Sequence, residues 1–269
     1  MLVGEKGPYT LVVQHDGDAA SPREDDNFGK MVCFHRRYNL GDQHDYLDKD
    51  DFLRELYLDT VGNDEQGARR YERMLDMAHA RNSDPAHPGS VERAVDERML
   101  RVIEQKYIVL PLYLHDHSGL AMNTTGFADP WDSGQVGWVY ASKEAALREF
   151  GGGKVLTAEK REQAENLLCG EVEVYDAYLR GECYGFELYK NDFLEDSCWG
   201  FIGDLDVVRK DMEGYLPAAC QGITGHLEEQ ADRASMPRMF LKHAQIQIDQ
   251  AMKALERAPR QQAIGAEAR

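Results

Sequence analysis

Residues 107–143 read YIVLPLYLHDHSGLAMNTTGFADPWDSGQVGWVYASK. Two β-like runs, Ile108–Leu114 and Gly137–Tyr140, flank a loop crowded with Gly, Pro, Asp and Trp, so this segment is expected to form a hairpin-like unit. The first run is apolar throughout. Its Pro111 has no N–H for a ladder, which places that strand at an edge or at a bulge. The second run leads into a helix with Ser142 as N-cap and Ala146, Leu147 and Phe150 on its buried face. Gly151–Gly153 stop that helix.

Outward from this unit, Tyr9–His15 and Met31–His35 read as strands and are expected to pair in one sheet, with a polar loop from Asp16 to Gly29 between them. Residues 49–106 turn helical. Phe52, Leu53 and Leu56 share one face, Tyr71, Leu75 and Ala78 another. Two prolines and a glycine force a loop over 82–89. Ser90 is the expected N-cap of a helix carrying Val91, Val95, Met99 and Val102. After Thr157, Ala164, Leu168, Val172, Tyr175 and Leu179 recur at helical spacing as a buried stripe. Cys183–Tyr189 and Ser197–Ile202, linked by Lys190–Asp196, read as a β-hairpin, and helical segments follow around 204–220 and 237–257. The expected fold is α+β: a small, mostly antiparallel sheet built from hairpins and packed against several amphipathic helices. Its domains are a core of 1–48 with 107–203, a helical insertion at 49–106, C-terminal helices at 204–257 and a flexible tail at 258–269.

With 269 residues, 42% hydrophobic and 29% charged, the chain can bury a sizeable core. No apolar run approaches the roughly 18 residues of a membrane span, and the opening MLVGEKGPYT has no secretory pattern. Cys33, Cys169, Cys183, Cys198 and Cys220 are odd in number and contain no CxxC, which reads as reduced thiols in a cytosol. The net charge is −17. Residues 155–232 hold 18 acidic and 6 basic side chains, a net of −12, whereas residues 233–269 carry +4. Such a field disfavours direct nucleic-acid binding and can attract basic partners.

His115-Asp116-His117 is the strongest local constellation for chemistry. Two histidines at i and i+2 on a continuing strand share a face and could hold a divalent metal, with a third ligand from His35, His44, Asp42, Asp129 or Asp132. Asp-His-Ser-Gly also reads as a turn, where the rings need not converge. Asp129 and Asp132 flank Trp131 and precede Ser133, offering paired carboxylates beside an aromatic. Ser133 lacks the glycine two residues earlier that a nucleophile elbow requires. Ser197-Cys-Trp is not a papain-type segment, because Glu195 and Asp196 precede it and disfavour a thiolate. GxxxxGK[ST] and GxGxxG are both absent. No cofactor is expected apart from that metal.

The combination LPLYLHDHSGLAMNTTGF, PWDSGQVGWVY, YGFELY and DSCWGF resembles a family of uncharacterised proteins carried by bacteriophages and other mobile elements. The resemblance covers roughly residues 28–45 and 107–203. It implies a bacterial cytoplasmic setting and supplies no activity or site residues. The leading expectation is an accessory protein, more a binder than an enzyme, that engages a host or phage protein with a basic surface. It would act as an inhibitor or DNA mimic of a host defence or nucleic-acid enzyme, through Trp131, Asp129, Asp132, Glu171, Glu173 and Asp176. A metal-dependent hydrolase using His115, His117, Asp132 and Ser133 is the first alternative. A homo-oligomeric scaffold is the second. Neither nucleic acid nor membrane is expected as a direct partner.

Overall fold

Trp138, Val139, Tyr140 and Ala141 are all buried. Successive side chains of a strand point to opposite faces, so this strand must be covered on both sides. A computed structural model describes residues 1–82 and 89–229 and has an α+β fold with two antiparallel sheets. In chain order its strands and α-helices are β1 (Leu2–Lys6), β2 (Tyr9–His15), β3 (Lys30–Cys33), α1 (Lys49–Val61), α2 (Glu65–Asn82), α3 (Ser90–Ile103), β4 (Tyr107–Asp116), β5 (Leu120–Asn123), β6 (Ser133–Ser142), α4 (Lys143–Glu149), α5 (Ala158–Leu179), β7 (Cys183–Lys190), β8 (Phe193–Ile202), α6 (Leu205–Glu213) and β9 (Glu228–Glu229). The chain divides into two compact units: a central one, Ala20–Glu182, and a terminal one, Met1–Ala19 with Cys183–Arg269. This partition differs from the sequence-based grouping of 1–48 with 107–203. No helix among the described residues is long and apolar enough to cross a membrane.

The central unit is built on a sheet of order β3-β6-β4-β5. On one face Met31, Leu112, Leu114, Val139 and Ala141 pack with Leu168, Val172 and Tyr175 of α5. On the other, Val32, Trp138 and Tyr140 meet Phe52, Leu53 and Leu56 of α1, Met74 of α2, and Met99 and Ile103 of α3. The Phe52 ring lies 5.6 Å from Trp138 and 5.5 Å from Tyr140. Each such aromatic or aliphatic side chain stabilises the fold by about 2 kcal/mol on burial. Pro111 sits where β4 pairs only with β6, one residue before a register shift at Leu112/Tyr113, and so removes no second-strand hydrogen bond. The Ser142 hydroxyl caps α4 by accepting from Ala145 N at 3.0 Å. At α3 the N-cap is Gly89 with φ 83°, one residue before the expected Ser90.

The terminal unit is a sheet of order β8-β7-β2-β1-β9. Leu11, Val13, Phe186 and Leu188 pack on one face against Val208 and Met212 of α6, with Leu216, Cys220 and Ile223. Tyr9–His15 therefore pairs with β1 and β7, not with Met31–Cys33 as expected, because the two strands belong to different sheets. The linker expected at Lys190–Asp196 contracts to a two-residue turn. Asn191 and Asp192, with φ of 49° and 68°, supply the left-handed pair of a tight hairpin, and β8 begins at Phe193. Of the helical segments expected over 204–257, α6 realises the first part. Those around 237–257 and the tail at 258–269 lie outside the described residues.

Gly137 lies where β6 passes β3, and a Cβ there would sit 1.9 Å from the Val32 carbonyl oxygen. Gly137→Ala is expected to lower the unfolding free energy by about 2 kcal/mol or more, because backbone must move. Gly134→Ala, on the same strand but with nothing within 4 Å of the added Cβ, should stay within about 0.5 kcal/mol. Chemical denaturation of both variants checks this, and equal losses would contradict it.

Candidate functional site

Residues 34–48 (FHRRYNLGDQHDYLD) form an irregular loop in the central unit, and an irregular loop needs partners for its backbone. The loop's own amides of Phe34 and Asp42 donate to the Val136 and Met31 carbonyls, and its Asp42 side chain is held by Arg23, whose side chain is only 3% exposed. Its Nε and Nη2 donate to the two oxygens of Asp42 at 2.7 and 3.0 Å, a bidentate pair. Nη1 reaches Glu171 Oε2 of α5 at 3.3 Å, and Nη2 also donates to the Gly29 carbonyl at 2.7 Å. The carboxylates then hold backbone. Asp42 accepts from Met31 N at 3.0 Å, and Glu171 accepts from Phe28 N and Gly29 N at 2.6 and 3.1 Å. Burial opposes the Arg23 charge, but Asp42 and Glu171 outweigh it and raise its pKa. The Gly41 N–H donates to the Tyr175 hydroxyl at 2.8 Å.

The loop so held walls a cleft of about 1210 Å³. Its aromatic side includes Tyr38, Tyr46, Tyr175 and Tyr178; its polar side includes Arg36 and Asp45. His35 stacks on Tyr38 at 5.0 Å and 7°, and Tyr175 on Tyr178 at 6.0 Å and 17°. Two of the lining groups, Cys33 and His44, are committed elsewhere. The Cys33 thiol is pushed up to about 12 by burial and by the Asp42 charge, which keeps it protonated. His44 Nε2 is 3.1 Å from the Cys33 carbonyl, so that nitrogen carries the proton. His44 Nδ1 is buried with no hydrogen-bond partner among the described residues. The cleft is lined by both polar and aromatic side chains.

The hairpin of 107–143 is a separate constellation in the same unit. His115 lies on β4 between Ala121 of β5 and Ser133 of β6. His117 lies beyond the strand end, in a turn where Ser118 has φ 52°. The two rings are 6.2 Å apart and tilted by 44°, and His117 Nδ1 lies 2.8 Å from Asp132 Oδ2. His115, His117 and Asp132 are thus brought together. Of the other suggested ligands, Asp42 is held by Arg23 and His44 by the Cys33 carbonyl. Among the described residues no group of three or more His, Cys, Asp or Glu has a metal-holding arrangement. Asp129 Oδ1 accepts from Trp131 N at 2.9 Å, and the Ser133 hydroxyl donates to the Asp129 carbonyl, so both shape the loop. Trp131 is 92% exposed.

Of the three α5 acids named as binding residues, only Glu173 is exposed. Glu171 belongs to the Arg23 network, and Asp176 accepts from Met122 N at 2.7 Å and pairs with Arg180 at 3.0 Å. Arg23 and the cleft were not visible in the sequence. The "SPRED" segment reads as a polar loop, and the nearest clue, an arginine among acids, is common on any surface. No family model, no curated protein and no solved structure matches this chain.

Replacing Arg23 by Met leaves the part-buried Asp42 and Glu171 without their cation. Arg23→Met is expected to cost about 3–5 kcal/mol in chemical denaturation, whereas Arg23→Met with Asp42→Asn and Glu171→Gln should recover part of that loss. The hairpin histidines should matter far less to stability. The His117–Asp132 pair is solvent-exposed, so His115→Ala with His117→Ala should cost no more than about 2 kcal/mol. Unfolding of that double variant at room temperature would contradict this.

Proposed function

We propose that the protein acts without catalysis, by binding a partner protein that presents a basic surface. One observation carries the reading: the terminal unit is acidic and most of its acids face solvent. Its described residues hold 13 acidic and 4 basic side chains, a net of −9. Asp192, Glu195, Asp196, Asp204, Asp206, Asp211, Glu228 and Glu229 are all exposed there. Among the described residues, ion pairs reach only Glu195, with Lys190 at 3.9 Å, and Asp206, with Arg209 at 3.5 Å. Exposed apolar side chains lie on the same elements: Phe193, Leu194 and Trp199 on β8 and Val207 on α6. Unneutralised carboxylates interleaved with exposed aromatics suit recognition, in which charge sets the encounter and apolar contact sets the lifetime.

The resemblance to bacteriophage and mobile-element proteins makes this an accessory protein of such an element. Its partner is then a host or phage enzyme whose nucleic-acid groove offers the basic surface, and the carboxylates occupy that groove in place of phosphates. The cytoplasm of the bacterial host is where such a partner is met.

The complex should weaken as salt rises. Bacterial lysate passed over the immobilised full chain at low ionic strength should yield a basic protein that elutes below about 0.5 M salt, where the screening length falls to a few ångström. The variant Glu195→Gln, Asp196→Asn, Asp211→Asn should retain markedly less of it. Equal retention by the variant, or retention indifferent to salt, would sink the proposal.

A further inference from the structure

β8 is the outer strand of the five-stranded sheet, paired with β7 on one side and with no described strand on the other. It is ten residues long, and Phe193 to Ser197, Trp199 and Gly200 are exposed. A long open edge offers unpaired N–H and C=O groups to any other strand, and proteins usually cover or disrupt such edges. This one is disrupted in two places. Register shifts leave Glu195 unpaired and set Trp199 and Gly200 opposite the single residue Gly185. Between them Asp196, Ser197 and Cys198 keep regular register with Leu188, Glu187 and Phe186.

In that regular run the Ser197 N–H donates to the Asp196 carboxylate at 2.8 Å. The edge amide is thus guarded by its neighbour's charge. Exposed apolar side chains flank it on the same strand. Phe193 is 59% and Trp199 43% exposed. The Trp199 ring lies against Gly185, where a Cβ would come within 2.1 Å of it, so the missing side chain on β7 holds the indole flat on the sheet.

We infer that β8 is a docking edge that takes up an extended segment of a partner, in which lysine or arginine alternates with apolar residues. The inference rests on the acidic-surface reading above and specifies how that surface is used. Charge complementarity selects the occupant. A second copy of β8 would set Glu195 and Asp196 against the same carboxylates, and like charges across a ladder oppose pairing. A basic residue opposite Asp196 instead draws the carboxylate off the Ser197 N–H, which frees that amide for the ladder. Apolar residues of the incoming strand then cover Trp199 and Leu194. Main-chain bonds give affinity and the alternate side chains give selectivity, the mode of strand addition.

The test uses the full chain and two synthetic peptides about ten residues long, alternating lysine and valine. One has alternate amides N-methylated, which removes ladder donors and keeps every charge. The unmodified peptide should bind at least about tenfold more tightly, the worth of two or three net hydrogen bonds. Ser197→Pro should weaken its binding by a similar factor with the unfolding midpoint held, since proline is tolerated on an open edge. Equal binding of both peptides to the unaltered chain would overturn strand addition while leaving the acidic-surface reading standing. If neither peptide binds at low salt, both fall. The peptide comparison needs no variant, so a Ser197→Pro chain that failed to fold would not blunt it.

Discussion

One buried guanidinium holds the central unit's irregular half in place. Arg23 is enclosed between Asp42 on the 34–48 loop and Glu171 on α5, and both carboxylates pass the constraint on to main-chain amides of Phe28, Gly29 and Met31. Burying a guanidinium against two part-buried carboxylates is costly, and it is tolerated only where the polar groups find partners. Here they do: the guanidinium reaches two carboxylates and a carbonyl, and each carboxylate accepts backbone N–H besides. The consequence is geometric. The anchor ties the 34–48 segment to the helix behind it at Asp42, beside the Gly41–Tyr175 hydrogen bond, and so fixes one wall of the cleft.

The anchor was beyond sequence reading for a physical reason. Arg23 and Glu171 are 148 residues apart, and no local periodicity encodes a contact between a loop and a helix at such a distance. Local patterns succeeded where burial repeats with the element's own period. The stripe of Ala164, Leu168, Val172 and Tyr175 is buried on α5 as its spacing implies. The Asp-His-Ser-Gly turn is also where its residues place it, with β4 ending at Asp116. Strand pairing failed for the converse reason. Period two tells which side chains share a face and is silent on which sheet a strand joins, so Tyr9–His15 could be read as a strand and not as the neighbour of Cys183–Lys190.

Charge shows the same division. Glu171 and Glu173 are indistinguishable in a count of acids, yet two helical steps separate them by about 200°. One lies in the buried network and the other in solvent. Of the acids between 155 and 229, Glu165, Glu171, Asp176, Glu182, Glu187 and Glu213 are drawn partly inward, several of them to hold backbone or basic side chains. The −12 of that segment is also shared between two units, because the boundary falls after Glu182. A sum over sequence therefore overstates any single acidic face, and only the exposed set in the terminal unit is available to a partner.

Charge alone gives such a face little selectivity. Coulomb attraction in water is screened within about 8 Å at physiological salt and prefers any cation to none. A surface relying on it alone would bind basic proteins indiscriminately. An open strand edge adds what charge lacks: direction, register and a two-residue repeat that a partner must match. The carboxylate on Ser197 then serves two ends. In the proposed mode it would close the edge against strands that bring no cation, including a second copy of β8, and yield to one that does. On the proposed docking mode, acidity on this unit would limit self-association and define the partner class by one and the same contact, so that charge can sit on a strand edge that would otherwise invite aggregation.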